Sequence, residues 1–171
     1  MIQARFTSIL LVTLGLCLLG IGCARGSSSS KGGPVSLKQL PLSFDLPADW
    51  QVTRDDVTSS GSYAALGYKK LDQIAIEADE IVFDNAEAFE QAWLAKQSDV
   101  KIVSREKFAN GFGFTYVQSR KGFDDKTLIH YHVKIGSATY QMASSSIYYD
   151  VEQLPTAIAI IKAAKPRAQA K

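Results

Sequence analysis

The chain has 171 residues, 46% of them hydrophobic and 21% charged, with 19 Lys and Arg against 17 Asp and Glu. That composition suits one compact domain and excludes a disordered or collagen-like chain. A net charge of +2 is too small for a phosphate-neutralising surface, so nucleic acid is not an expected partner.

The amino terminus reads as an export signal. Arg5 supplies a positive start, and Ile9 to Leu19 is an apolar run broken only by Thr13 and Gly15. It is too short for a membrane span, which needs about 20 apolar residues, and fits the apolar region of a signal peptide. The run ends Leu18-Leu19-Gly20-Ile21-Gly22-Cys23, which looks like a lipobox. Small Gly22 lets a peptidase reach the bond, and the Cys23 thiol carries the lipid and becomes the new amino terminus. The usual leucine three places before the cysteine is replaced by Gly20, with Leu19 one place earlier. Ala24, rather than an aspartate, follows the cysteine, which favours the outer membrane of a bacterial envelope, with the domain facing the periplasm. Cys17 leaves with residues 1–22 and Cys23 is consumed by the lipid, so a disulfide or thiolate site is not expected in the mature chain.

Residues 23–34, with Arg-Gly-Ser-Ser-Ser-Ser-Lys-Gly-Gly at 25–33, form an expected flexible tether spanning roughly 20 Å. The folded part is expected over 35–164, followed by a solvated basic tail at 165–171 carrying Lys165, Arg167 and Lys171. No internal repeat of fixed period is legible, which argues against a solenoid or propeller.

Leu42-Ser43-Phe44-Asp45-Leu46 alternates apolar and polar residues as a half-buried strand does, and Pro47 stops it. Trp50 to Thr53, Tyr63 to Tyr68 and Ile74 to Ala78 read as further strands. A helix is expected next, with Asp84 and Glu87 as a capping box and Phe89, Ala92, Trp93 and Lys96 along one stripe. Strands follow at Val100 to Phe108 and Phe112 to Arg120, joined by an expected Asn110-Gly111 turn of positive φ. Leu128 to Ile135 and Ala138 to Ser144 are joined at Gly136-Ser137. A closing helix is expected to bury Val151, Leu154, Ile158 and Ile161, with Asp150 as cap and Pro155 near its start. Strands, helix, four strands, helix is the order of an α+β domain in which helices cover a central antiparallel sheet. The alternative is a cystatin-like single helix on a curved antiparallel sheet.

This order, together with Phe44-Asp45-Leu46-Pro47-Ala48-Asp49-Trp50, the Phe89/Trp93 helix and Lys134-Ile135-Gly136-Ser137-Ala138-Thr139-Tyr140, resembles the PsbP-like superfamily. That superfamily includes photosynthetic extrinsic proteins, Ran-binding Mog proteins and bacterial DcrB-type lipoproteins. The resemblance covers about residues 42–164. It implies an α/β/α sandwich and a scaffold or binding role rather than catalysis; no family site residue maps position by position.

His130-Tyr131-His132 is the sharpest chemical candidate, because alternate residues of a strand share a face and both imidazoles can meet one metal ion there. No third ligand has diagnostic spacing, so neither a metal nor another cofactor is expected, and the pair is read as sitting on the polar side of a sheet with wet tips. Ser144-Ser145-Ser146 lacks the Gly-x-Ser-x-Gly elbow of a nucleophile, and Gly111-Phe112-Gly113-Phe114 lacks the third glycine of a dinucleotide loop. The pairs Asp55-Asp56 and Asp124-Asp125 are expected in turns. Catalysis is therefore not expected, a metal enzyme on His130/His132 being the remote exception. His130, Tyr131, His132, Tyr148 and Tyr149, with Tyr140 near them, are the candidate surface for a protein partner. The expected role is a membrane-anchored binding or assembly module; the alternative is a periplasmic immunity protein that neutralises a delivered toxin.

Overall fold

A computed structural model describes residues 32–145 and 150–168. In chain order the strands β1 (Gly33–Ser36), β2 (Leu42–Leu46), β3 (Trp50–Thr58), β4 (Gly61–Tyr68) and β5 (Leu71–Asp79) precede helix α1 (Ala86–Leu94). Then come β6 (Val100–Phe108), β7 (Gly111–Gln118), β8 (Lys126–Ile135), β9 (Ala138–Ser144), helix α2 (Leu154–Lys162) and the short β10 (Lys165–Pro166). Seven strands form one antiparallel sheet in the order β3-β4-β5-β9-β8-β7-β6, and β1-β2-β10 form a separate small sheet. Among the described residues the domain is mostly strand with two α-helices, an α+β fold.

Alternation along β8 sorts the layers. Ile129, Tyr131, Val133 and Ile135 enter the larger core with Trp50, Leu66, Ile76, Met142, the small sheet's Leu42, Phe44 and Leu46, and Leu154, Ala157, Ile160 and Ile161 of α2. Leu128 enters a smaller core on the opposite face, with Phe89 of α1, Phe114 and Tyr116, and with Phe83, Trp93 and Phe112 packed against it. The large sheet thus has α1 on one face, and α2 with the small sheet on the other.

Two hairpins of the large sheet share one backbone plan. β3–β4 pairs Trp50 with Tyr68 and Thr58 with Gly61, with a bulge between Val52 and Arg54. β6–β7 pairs Val100 with Gln118 and Phe108 with Gly111, with a bulge between Ile102 and Ser104. Every position of the second lies 50 residues after its counterpart, as Trp50 and Val100 show. Asp49 and Asp99, each just before its first strand, both have positive φ (67° and 58°). Their carbonyls accept from Lys69 and Ser119 at 2.9 Å each. In an antiparallel sheet of seven strands the two edges run the same way, so the operation relating the hairpins is a two-fold axis along the strands, which exchanges the faces. Accordingly Trp50, Val52 and Leu66 belong to the larger core, and Val100, Ile102 and Tyr116 to the smaller. This recurrence escapes a sequence search, because between residues 48–70 and 98–120 only Asp49/Asp99 and Gly61/Gly111 are identical.

Several expectations need correction. The folded chain extends past both expected boundaries: Gly33 already pairs with Leu46, and Lys165 and Pro166 pair with Ser43 and Leu42. Arg167, expected in a solvated tail, donates from Nη1 to the Leu37 carbonyl at 2.6 Å and the Lys38 carbonyl at 3.1 Å. The turn between β6 and β7 is Ala109-Asn110, because Phe108 pairs with Gly111. Gly111 is needed there for close approach: a Cβ on it would lie 2.5 Å from the His132 carbonyl. Helix α1 is capped by Asn85, whose Oδ1 accepts from the Ala88 amide at 2.8 Å, because its extended backbone presents the side chain to that amide. The α2 stripe is Leu154, Ala157, Ile160 and Ile161, while Val151 is exposed. Val151 lies in the 3₁₀ turn Val151–Gln153 that leads into the helix, so helical periodicity does not extend back to it.

Candidate functional site

The end of β5 builds the most organised polar group in the domain. Asp79 Oδ1 accepts from the Ile81 amide at 3.0 Å, an Asx turn that directs the chain toward α1. Its Oδ2 faces two further partners: Gln141 Nε2 donates at 3.0 Å and His132 Nδ1 lies at 3.0 Å. Gln141 Oε1 is 3.1 Å from His130 Nε2. Thr139 Oγ1 donates to the Asp79 carbonyl at 2.8 Å. These residues meet because β9 lies between β5 and β8, placing Asp79 opposite Thr139, and Gln141 opposite His132.

The network fixes the protons. Gln141 spends its amide nitrogen on Asp79, so its oxygen accepts and His130 Nε2 is the donor. The Asp79 carboxylate likewise requires His132 to carry its proton on Nδ1. Phe89 lies over both rings, with centroids 5.1 Å from His130 and 5.5 Å from His132. His130 stacks near Phe114 and His132 stacks on Phe112, with interplanar angles of 23° and 25°. This enclosure desolvates His130 and lowers its pKa from the ordinary 6.5 to about 4, against opposing contributions from Gln141 and Asp79. His130 is therefore neutral at physiological pH.

Thus the expected shared face of His130 and His132 is found, but the expected wet tips are not. His132 is 3% exposed and Tyr131 1%, so these residues do not make an open partner surface. His132 is shielded by α1 and the Phe83 segment, while Tyr131 points the other way into the larger core, where Tyr140 is also buried. Tyr131 Oη donates to Glu106 Oε2 at 3.1 Å, and Lys162 of α2 pairs with the same carboxylate. Burial and the Glu106 charge push the Tyr131 pKa upward. Tyr148, Tyr149, Ser146, Gly22 and Cys23 lie outside the described residues. Among those described, no group of three or more His, Cys, Asp or Glu is placed to hold a metal ion.

The other candidates take up packing roles. Ser144 Oγ accepts from the Ile129 amide at 3.0 Å. Asp55, expected in a turn, lies within β3 and accepts from the Lys38 and Gln39 amides at 2.5 and 3.0 Å, fastening the loop between β1 and β2. A Cβ at Gly113 would lie 2.4 Å from Tyr131 Cδ1, so this glycine makes room for an aromatic ring.

Beside His132 opens a cleft of about 230 Å³ lined by Val82, Phe83, Lys107, Asn110, Phe112 and Lys134, among others. Sequence reasoning missed Asp79, Gln141 and the two lysines because they converge only through the long-range β5–β9 pairing. Asp79 falls just past the expected strand end at Ala78, and local pattern does not give the strand order that brings these residues together. Compared with known families, curated proteins and solved structures, the chain matches none.

Proposed function

We propose that the chain is a lipid-anchored lipoprotein of the bacterial envelope whose α+β domain acts as a non-catalytic binding or assembly module, with the sandwich arrangement of the PsbP-like superfamily. The observation that carries the anchor is the Gly22-Cys23 junction after an apolar run, followed by a Gly/Ser segment that leads directly into Gly33, where β1 begins. Gly32 lies against Leu46, Pro47 and Ala48, at the end of the sheet that carries the Lys69-Lys70 turn and the exposed Phe123. In this reading that end faces the bilayer. Ala24 after the cysteine favours the outer membrane, with the domain in the periplasm.

Two acyl chains or more hold such a protein stably, since each buried methylene contributes about 0.8 kcal/mol. The binding role is supported by the cleft beside His132, whose ring Asp79 holds in place. The sandwich is supported by α1 and α2 lying on opposite faces and by Leu46-Pro47-Ala48-Asp49-Trp50 forming the corner between β2 and β3. Cys23→Ser tests the anchor. The variant is expected to accumulate as an unprocessed precursor by electrophoresis of cell fractions. Processing and membrane retention that survive the change would contradict it.

A further inference from the structure

We propose that the cleft beside His132 binds a small organic carboxylate with an apolar body, such as an aryl or branched-alkyl acid. The cleft lies at the end of the sheet opposite Gly32, between the β6–β7 and β8–β9 hairpin tips and the segment after β5. Its floor is His132, held by Asp79 at Nδ1. The Nε2 of this buried ring has no hydrogen-bond partner among the described residues. An enclosed imidazole nitrogen of that kind calls for a polar ligand atom.

The charges around it select the sign. Lys107 and Lys134 line the cleft with Asn110 and form no ion pair among the described residues. No carboxylate lines it; Asp79, behind His132, is already bonded to Gln141, the Ile81 amide and His132 itself. A ligand carboxylate finds two ammonium groups there and no carboxylate to repel it. The walls select the remainder. Phe83 and Phe112 flank His132 with centroids at 5.3 Å each, and Val82 at the rim is 67% exposed. A space of about 230 Å³ holds one such apolar group and its acid, rather than an extended chain. Gly111 keeps the floor flat, since a Cβ there would strike the His132 carbonyl.

This inference rests on the reading of the domain as a binding module and is independent of the anchor, so its test uses the full chain purified from membranes in detergent, whatever the state of Cys23. Phenylacetate is titrated while nitrogen-15 spectra of the imidazole side chains and backbone amides are recorded. Shifts are expected at His132 Nε2 and at the Gly111 and Phe112 amides, with saturation at millimolar ligand, and no such response to phenylacetamide. The double variant Lys107→Gln/Lys134→Gln, both exposed positions, is expected to weaken binding about tenfold or more. The proposal is overturned if phenylacetate leaves the cleft resonances unmoved, if the amide binds equally well, or if the double variant binds unchanged. Tighter binding of phenyl phosphate would overturn the carboxylate assignment.

Discussion

The two halves of the large sheet follow one backbone plan and fill it with different chemistry. In the β3–β4–β5 half, the inner face carries Trp50, Val52, Leu66, Ile74 and Ile76, covered by α2 and the small sheet. In the β6–β7–β8 half, the corresponding face carries Val100, Ile102, Phe114, Tyr116, Leu128 and His130, and its cover is the single helix α1 with Phe83. A broad cover suits aliphatic residues. A narrow one is compensated by large rings that reach from the sheet to the helix, and the room beside them is where the polar network and the cleft arise. Even the fasteners correspond: Asp55 grips the β1–β2 loop on one face, and Arg105, at the matching position, forms a bidentate pair with Glu90 of α1 on the other, at 2.6 and 2.7 Å.

Breaking the aromatic half at its centre has the largest expected effect. Phe89 is buried against Phe83, Phe112, Phe114 and both histidines, and Phe89→Ala is expected to cost about 3–5 kcal/mol in urea denaturation. Trp93→Ala is expected to cost less, because Trp93 retains exposed surface. A larger loss at Trp93 would misplace the centre of this core.

The next contrast is His130 against its counterpart Ile76, each standing opposite the matching residue of its hairpin, Phe114 and Ala64. The folded pKa of His130, about 4, lies below the ordinary 6.5, so between these values the unfolded chain binds more protons. Its stabilising effect is complete above pH 6.5 and is lost as pH falls toward 4, in total about 3 kcal/mol. Urea titrations at a series of pH values are expected to show this decline in the native chain, and a shallower one in His130→Ile. An equal slope in both would contradict the assignment.

Gly113 and Tyr63 occupy matching positions with opposite requirements. Gly113→Ala pushes a Cβ into the Tyr131 ring and is expected to cost about 1–3 kcal/mol by thermal or urea unfolding, whereas β4 accommodates a full tyrosine at position 63. Asp55→Ala releases two backbone amides and is expected to cost about 1–2 kcal/mol. Arg105→Ala, which removes a solvent-exposed ion pair, is expected to have the smallest effect of the series, within the scatter of surface substitutions.

Much of the fold was legible in local pattern. Turn residues and strand-forming runs located part of every strand of the large sheet, β3 running on to Thr58 past the expected Thr53, and Gly136, with φ of 65°, marks the β8–β9 turn as expected. The connection between β4 and β5 was expected across residues 69–73, but Lys69 and Lys70, with φ of 48° and 70°, make a tighter turn than their side chains advertise, and β5 already begins at Leu71. Asn110-Gly111 misled for the converse reason, since Gly111 serves close approach rather than positive φ. The site was half legible. Spacing put His130 and His132 on one face, but whether a sheet face is wet depends on where a helix from elsewhere in the chain packs. The edges β1 and β10 were missed because two- to four-residue strands carry too little periodicity to read.

The anchor is tested most directly by intact-mass analysis of the membrane-extracted protein. The account expects a chain beginning at Cys23, heavier than its residues by a diacylglyceryl group on sulfur. A chain that begins at Met1, or at an unmodified Cys23, contradicts it.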